Sequence, residues 1–233
     1  MSHRFDRALC AELSPDIEPV LTAWELWADA AGYESRQPFS PGATEQEIAR
    51  VELKLGRSLP QELRALYRLT NGLSVLEGNI NIAPLEGGQP NNQLVTMSAQ
   101  LRKWEWPIPD ELVLFGDNGG DDVFGAWIPR SSHPARTCLV VGTGEASGLL
   151  AIYGTTLARF LRASSAVHLC DNPGGALNAL GVPGDLRDPQ MPDEAVAAIF
   201  RWADPDLPHV PPDWSTQRLT TDQVSAFFRQ RAG

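Results

Sequence analysis

Cysteine, lysine and long apolar runs are all scarce in this 233-residue chain, and each shortage removes a class of protein. The three cysteines, Cys10, Cys138 and Cys170, are odd in number, far apart and never in a Cys-x-x-Cys pair. Neither a disulfide framework nor a zinc ligand set is indicated, and a reducing compartment is expected. No apolar run reaches the roughly 18 residues of a membrane span. Asp6, Glu12 and Asp16 interrupt the N-terminus where a signal peptide needs an unbroken apolar stretch. The chain therefore reads as cytoplasmic, with no membrane partner. Cations are few and scattered: 19 basic against 29 acidic residues give a net charge of -10, the opposite of what a phosphate backbone requires, so nucleic acid is not expected as a ligand. The four histidines, His3, His133, His168 and His209, have no partners at metal or general-base spacing. No metal, cofactor or catalytic residue is expected, and the chain is not read as an enzyme.

What is present is an ordinary globular composition, 42% hydrophobic and 21% charged. A chain of this length buries roughly 70–75% of its unfolded surface, enough for one main domain with an appendage. Ser14-Pro15, first-turn acids Asp16 and Glu18, and Gly32 bracket a helix from Pro15 to Ala31. Its apolar stripe is Ile17, Val20, Leu21, Trp24, Trp27 and Ala31. Thr44 and Glu47 predict a capping box for a second helix, with Ile48, Val51 and Leu55 on one face and Gly56 as its stop. Ser58 with Gln61 predicts another capping box, Pro60 sits in the first turn, and Leu63, Leu66 and Tyr67 form the buried stripe up to Asn71-Gly72.

Beyond Gly72 the period turns to alternation. Ile80 and Ile82 alternate with Asn79 and Asn81, and four short runs follow at 111–116, 122–128, 138–141 and 149–154. The connections DNGGD and GTGEASG are too short for helical crossovers, which predicts a mostly antiparallel sheet. Thr155 or Thr156 then caps a helix with Leu157, Phe160 and Leu161 inward. From residue 170 the chain is turn-rich and proline-rich, with two embedded short helices, PDEAVAAIFRW and TTDQVSAFFRQR. Neither is long enough to stand alone, so 170–233 reads as an extension packed on a main domain of residues 1–169.

Two motif matches fail on inspection. GTGEASG resembles a dinucleotide-binding glycine loop, but its third glycine is displaced and the segment after it reads as strand, where a helix N-terminus would have to receive the pyrophosphate. GDNGGDD alternates acids as a calcium loop does, yet the closing glutamate position falls on Ile128. Charge distribution says more. Residues 130–168 hold 4 basic and 1 acidic groups, whereas no Lys or Arg lies between Trp104 and Pro129. That window carries Glu105, Asp110, Glu111, Asp117, Asp121 and Asp122 beside Trp106 and Trp127. An aromatic anchor among uncompensated carboxylates suits docking of a basic partner, and Asp117, Asp121, Asp122 and Glu105, with Trp106 as anchor, are the candidate contacts.

The segment from Trp24 to Gly72, and above all Gly42-Ala43-Thr44, Ile48, Glu52, Leu55-Gly56, Leu59-Pro60, Leu66, Tyr67 and Asn71-Gly72, resembles the N-terminal signature of the SMI1/KNR4 family, the SUKH superfamily. ELVLFGDNGGDDVFGAW is similar to the family's central strand, turn and strand, and TLARFL to its closing helix, so the resemblance spans about residues 20–165. It implies an α+β fold in which helices pack on a mixed, mostly antiparallel sheet, here with a helical C-terminal extension. It also implies a protein-binding role. Bacterial members are largely immunity proteins that neutralise a toxin domain, often a nuclease or deaminase, and fungal members regulate cell-wall synthesis. The expectation is an immunity protein occluding a basic toxin domain, with a regulator or scaffold lacking a toxin partner as the alternative.

Overall fold

The computed structural model describes residues 5, 16–32, 39–87, 93–120, 122–130, 135–144, 150–169, 175–187, 193–208 and 219–231. The first helix, α1 (Ile17–Ala30), buries Ile17, Val20, Leu21, Trp24 and Trp27 as its spacing predicts. Ala31 is exposed past the helix end, and Ala23 and Ala28 take the inward positions instead. Asp16 occupies the N-cap without a side-chain capping bond; Ser14 and Pro15 lie outside the described residues.

Helix α2 (Glu45–Leu55) has the expected capping box: the Glu47 N–H donates to Thr44 Oγ1 (3.3 Å), and Glu47 Oε2 accepts from the Thr44 N–H (2.7 Å). Gly56, at φ 66°, ends it. Helix α3 (Gln61–Leu69) departs from expectation, because Ser58 and Gln61 make no capping box and Pro60 is the N-cap. Its first N–H groups find acceptors in a distant segment: Gln61 donates to the Ala135 carbonyl (3.0 Å) and Glu62 to that of Arg136 (3.3 Å).

Six strands follow in sequence order: β1 (Leu73–Val75), β2 (Ile80–Ile82), β3 (Leu112–Asp117), β4 (Asp122–Trp127), β5 (Val140–Gly144) and β6 (Leu150–Gly154). They form one meander, each strand beside its sequence neighbour and every pairing antiparallel. The fold is thus α+β as the sequence implies, with no parallel pair among the described strands. β1 and helix α4 (Leu94–Lys103) went unread in the sequence. α4 has no side-chain cap at Gln93 and is held by burial of Leu94, Met97 and Leu101.

The remaining helices are α5 (Leu157–His168), α6 (Ala176–Leu180), α7 (Asp193–Ala203) and α8 (Thr221–Arg231). They explain why β3 is apolar along its whole length. Val113, Phe115, Phe124, Ala126 and Val140 face a core built with α1, α2, α3, α5 and α6. Leu112, Leu114, Val123, Trp127, Val141 and Ile152 face a second core closed by Met97 and Leu101 of α4, Phe200 of α7, and Val224 and Phe228 of α8. An antiparallel sheet covered on both faces loses its polar alternation. The chain after residue 170 supplies much of the second cover, and Leu219 bonds Leu150 on the β6 edge through both backbone groups (2.7 and 3.1 Å).

The first turn of α5 joins these layers. Thr156 Oγ1 accepts from the Arg159 N–H (3.2 Å), so Thr156 is the cap. Glu62 Oε2 accepts from the N–H groups of Leu157 (3.0 Å) and Cys138 (2.9 Å). From the other side, Asp204 accepts from the Thr155 N–H (2.6 Å) and hydroxyl (2.8 Å) and pairs with Arg159 (3.0 Å), which also reaches Asp206 (2.6 Å). Glu62 and Asp204 are 6% and 1% exposed, so each is a buried carboxyl group held by donors. Replacing Asp204 with Ala leaves these donors unanswered and is expected to cost about 3 kcal/mol or more in urea unfolding.

Burial pushes the Glu62 carboxyl above the usual carboxylate range, against the opposing pull of the Cys138 and Leu157 N–H groups. The folded state therefore keeps this proton where the unfolded chain has lost it, and the group's contribution to stability falls as pH rises above 4.5. Glu62→Gln keeps an acceptor oxygen without a charge to desolvate. Its stability relative to the parent is expected to improve as pH rises above 4.5; a difference that does not change with pH would contradict the assignment.

Candidate functional site

At one end of the sheet the β1–β2 and β3–β4 turns meet. Leu76, Glu77 and Gly78 form the first turn with φ values of 55°, 59° and 89°, so two non-glycine residues in succession hold a left-handed backbone. Asn79 secures it, its N–H and side-chain amide both donating to the Leu76 carbonyl (3.1 and 2.6 Å). Asn81 bridges to the neighbouring hairpin, its amide donating to the Gly78 carbonyl (2.7 Å) and to Asp117 Oδ1 (2.6 Å).

The second turn is built by its own polar side chains. Asp117 Oδ1 accepts from the Gly119 N–H (2.9 Å), and Asn118 Oδ1 from the N–H groups of Gly120 (3.0 Å) and Asp122 (3.3 Å). Gly119 is required there: its φ is 75°, and a Cβ would stand 2.4 Å from the Gly78 carbonyl oxygen. Of the acids that alternate as in a calcium loop, Asp117 thus has an oxygen engaged in holding the turn. Asp117 and Asp122 are half-buried and Glu77 is exposed; Asp121 lies outside the described residues.

The hairpin tip also forms a wall of two clefts. A polar cleft of about 580 Å³ is lined by Ser74, Asn81, Met97, Asp117 and Gly119. A smaller cleft of about 270 Å³ lies between Asn118 and Asp122 on one side and α5 and α7 on the other.

Glu105 and Trp106 do not join this group. They precede the opposite end of β3, whose 6 residues put about 17–20 Å of strand between the two acidic sites. Both belong to the C-terminal stop of α4, where the Glu105 N–H bonds the Arg102 carbonyl (3.1 Å) and the Trp106 N–H bonds that of Leu101 (3.2 Å). This is a Schellman motif with Glu105, at φ 65°, in the position that usually takes glycine. Trp106 is half-buried against the second core, whereas Trp104 is 56% exposed. Asp110 is compensated from outside its own window, paired with Arg130 (2.5 Å) and Arg57 (3.5 Å). The Arg130 hydrogen bond holds its carboxyl below the usual carboxylate range.

Glu77 and Trp104 are the surface groups that sequence reading missed. The four residues LEGN between β1 and β2 were a legible turn signal. Trp104 was not legible, because it lies three residues beyond Leu101 and simple helical spacing would bury it; the Schellman turn brings in Trp106 instead.

These elements define an α+β domain with a covered six-stranded meander and an acidic, turn-built sheet end. No described group of three or more His, Cys, Asp or Glu could hold a metal ion, and no described helix is long and apolar enough to cross a membrane. Residues 42–147 match the SMI1 / KNR4 family (SUKH-1), which supports the family resemblance read from the sequence. The family is a protein-binding, immunity-protein-like fold. No curated protein matches the chain. Glu105→Gly, which removes the left-handed strain and leaves both Schellman bonds in place, is expected to raise stability by roughly 1 kcal/mol in thermal or urea unfolding; a loss of stability would contradict that geometry.

Proposed function

We propose that this protein is a cytoplasmic immunity protein that binds a cognate bacterial toxin domain with a basic surface, of nuclease or deaminase type, and occludes its active site. The observation that carries this reading is the SUKH-1 match over 42–147, which includes both turns of the acidic sheet end. Carboxylates held in fixed positions by turn hydrogen bonds would occupy cationic sites that the toxin uses for phosphate, and the net charge of -10 would speed the encounter. Glu77, Asp117 and Asp122, with Asp121, form the principal contact surface; Glu105 and Trp106, joined by Trp104, form a second one at the far end of β3. A regulator or scaffold without a toxin partner is the alternative, and gene neighbourhood separates the two.

Co-purification with the product of the adjacent gene, and rescue of cells expressing that product, tests the reading. Capture together with restored growth is the expected result, and a neighbour that neither binds nor harms cells favours the regulator. Asp117 holds its turn, so charge reversal is read at Glu77 and Asp122. Glu77→Lys with Asp122→Lys is expected to slow association about tenfold at low salt and flatten its salt dependence. Unchanged kinetics would remove the sheet end from the interface.

A further inference from the structure

We infer that the smaller cleft beside the β3–β4 turn is the seat of an arginine side chain carried by the protein partner, an inference that rests on the partner-binding reading above. Its floor is aromatic and already packed. Phe124, Phe160 and Phe200 are buried, the Phe124 and Phe160 ring centroids are 4.8 Å apart, and Tyr153 stacks on Phe160 at 6.1 Å with 22° between the planes. One carboxylate stands at the mouth. The Asn118 amide donates to Asp122 Oδ2 (3.1 Å) and fixes it there, and Oδ1 takes no hydrogen bond from the described residues. No described lining residue is Lys or Arg.

Those features select among occupants. A purely apolar side chain would satisfy the rings but leave the Asp122 carboxylate without exchange for its lost water. An acidic side chain would meet Asp122 directly. Arginine fits both halves: its methylene stem lies on apolar surface, its planar guanidinium stacks on ring faces, and its forked donors match the Asp122 carboxylate. The volume of about 270 Å³ accommodates one such side chain rather than a peptide segment. The acids of the sheet end are thus assigned two uses, long-range steering by Glu77 and short-range capture by Asp122.

The test titrates the full-length protein with Nα-acetyl-arginine amide, its neutral isostere Nα-acetyl-citrulline amide, and Nα-acetyl-leucine amide, following the methyl resonances of Ile80, Val167 and Val196. The arginine compound is expected to shift all three saturably and to bind about tenfold more tightly than citrulline. Asp122→Asn should bring arginine down to the citrulline level. Val196→Trp, which fills the cleft, should abolish the shifts while circular dichroism stays unchanged. Citrulline or leucine binding as tightly as arginine would overturn the assignment, as would arginine shifts that survive Val196→Trp. No arm of this test uses the partner. A chain that protects cells yet ignores arginine refutes the cleft assignment alone, and a chain that captures arginine but protects against nothing refutes the toxin reading alone.

Discussion

The first turn of α5 sets the terms for the rest of the molecule. A helix that begins inside a protein presents N–H groups that must find acceptors, and here they are met by carboxylates from two distant parts of the chain. Glu62 bonds Leu157 and, with the same oxygen, Cys138 ahead of β5. Asp204 bonds Thr155 and draws in Arg159, so the segment after α7 is tied to the same turn. Removing either acid would strand buried donors, a cost well above that of a surface ion pair. The Trp24 indole, donating to Ser165 (2.9 Å), fixes the far half of α5 to α1.

Because α5 is fixed in this way, helices close over both faces of the sheet and little of its surface is left for a partner. What remains is its ends. At one of them, two turns are locked to each other by Asn81 and tolerate left-handed Leu76 and Glu77, and strain of that kind persists only where surrounding bonds impose it. The proposed binding surface therefore comes preformed, which lowers the ordering cost of association. Acidic side chains placed by backbone turns, rather than by flexible stems, are suited to matching a fixed array of cations.

Much of the scaffold was legible from local chemistry. The α2 capping box, the Gly56 stop, five of the six strands and the Thr156 cap each depend on residues within a few positions of one another. What escaped depends on distance or brevity. β1 has 3 residues, too few to show a period, and α4 lacks a capping side chain. Glu62 looks like any acid in the first turn of a helix, and its burial follows from partners 76 and 95 residues away. The sheet end was half legible: DNGGD announced a turn, but its junction with LEGN and the cleft walled by α5 and α7 arise only when separate segments converge. Glu105 and Asp122 read as neighbours on one acidic stretch, yet a whole strand separates them.

Hydrogen–deuterium exchange of the chain with and without its co-purified partner tests the central claim most directly. The account predicts that slowing on binding concentrates at residues 76–81 and 117–124, while the amides of Thr155 and Leu157, already held by Asp204 and Glu62, stay protected in both states. Slowing confined to α2 and α3, with both turns exchanging as in the free protein, would contradict it.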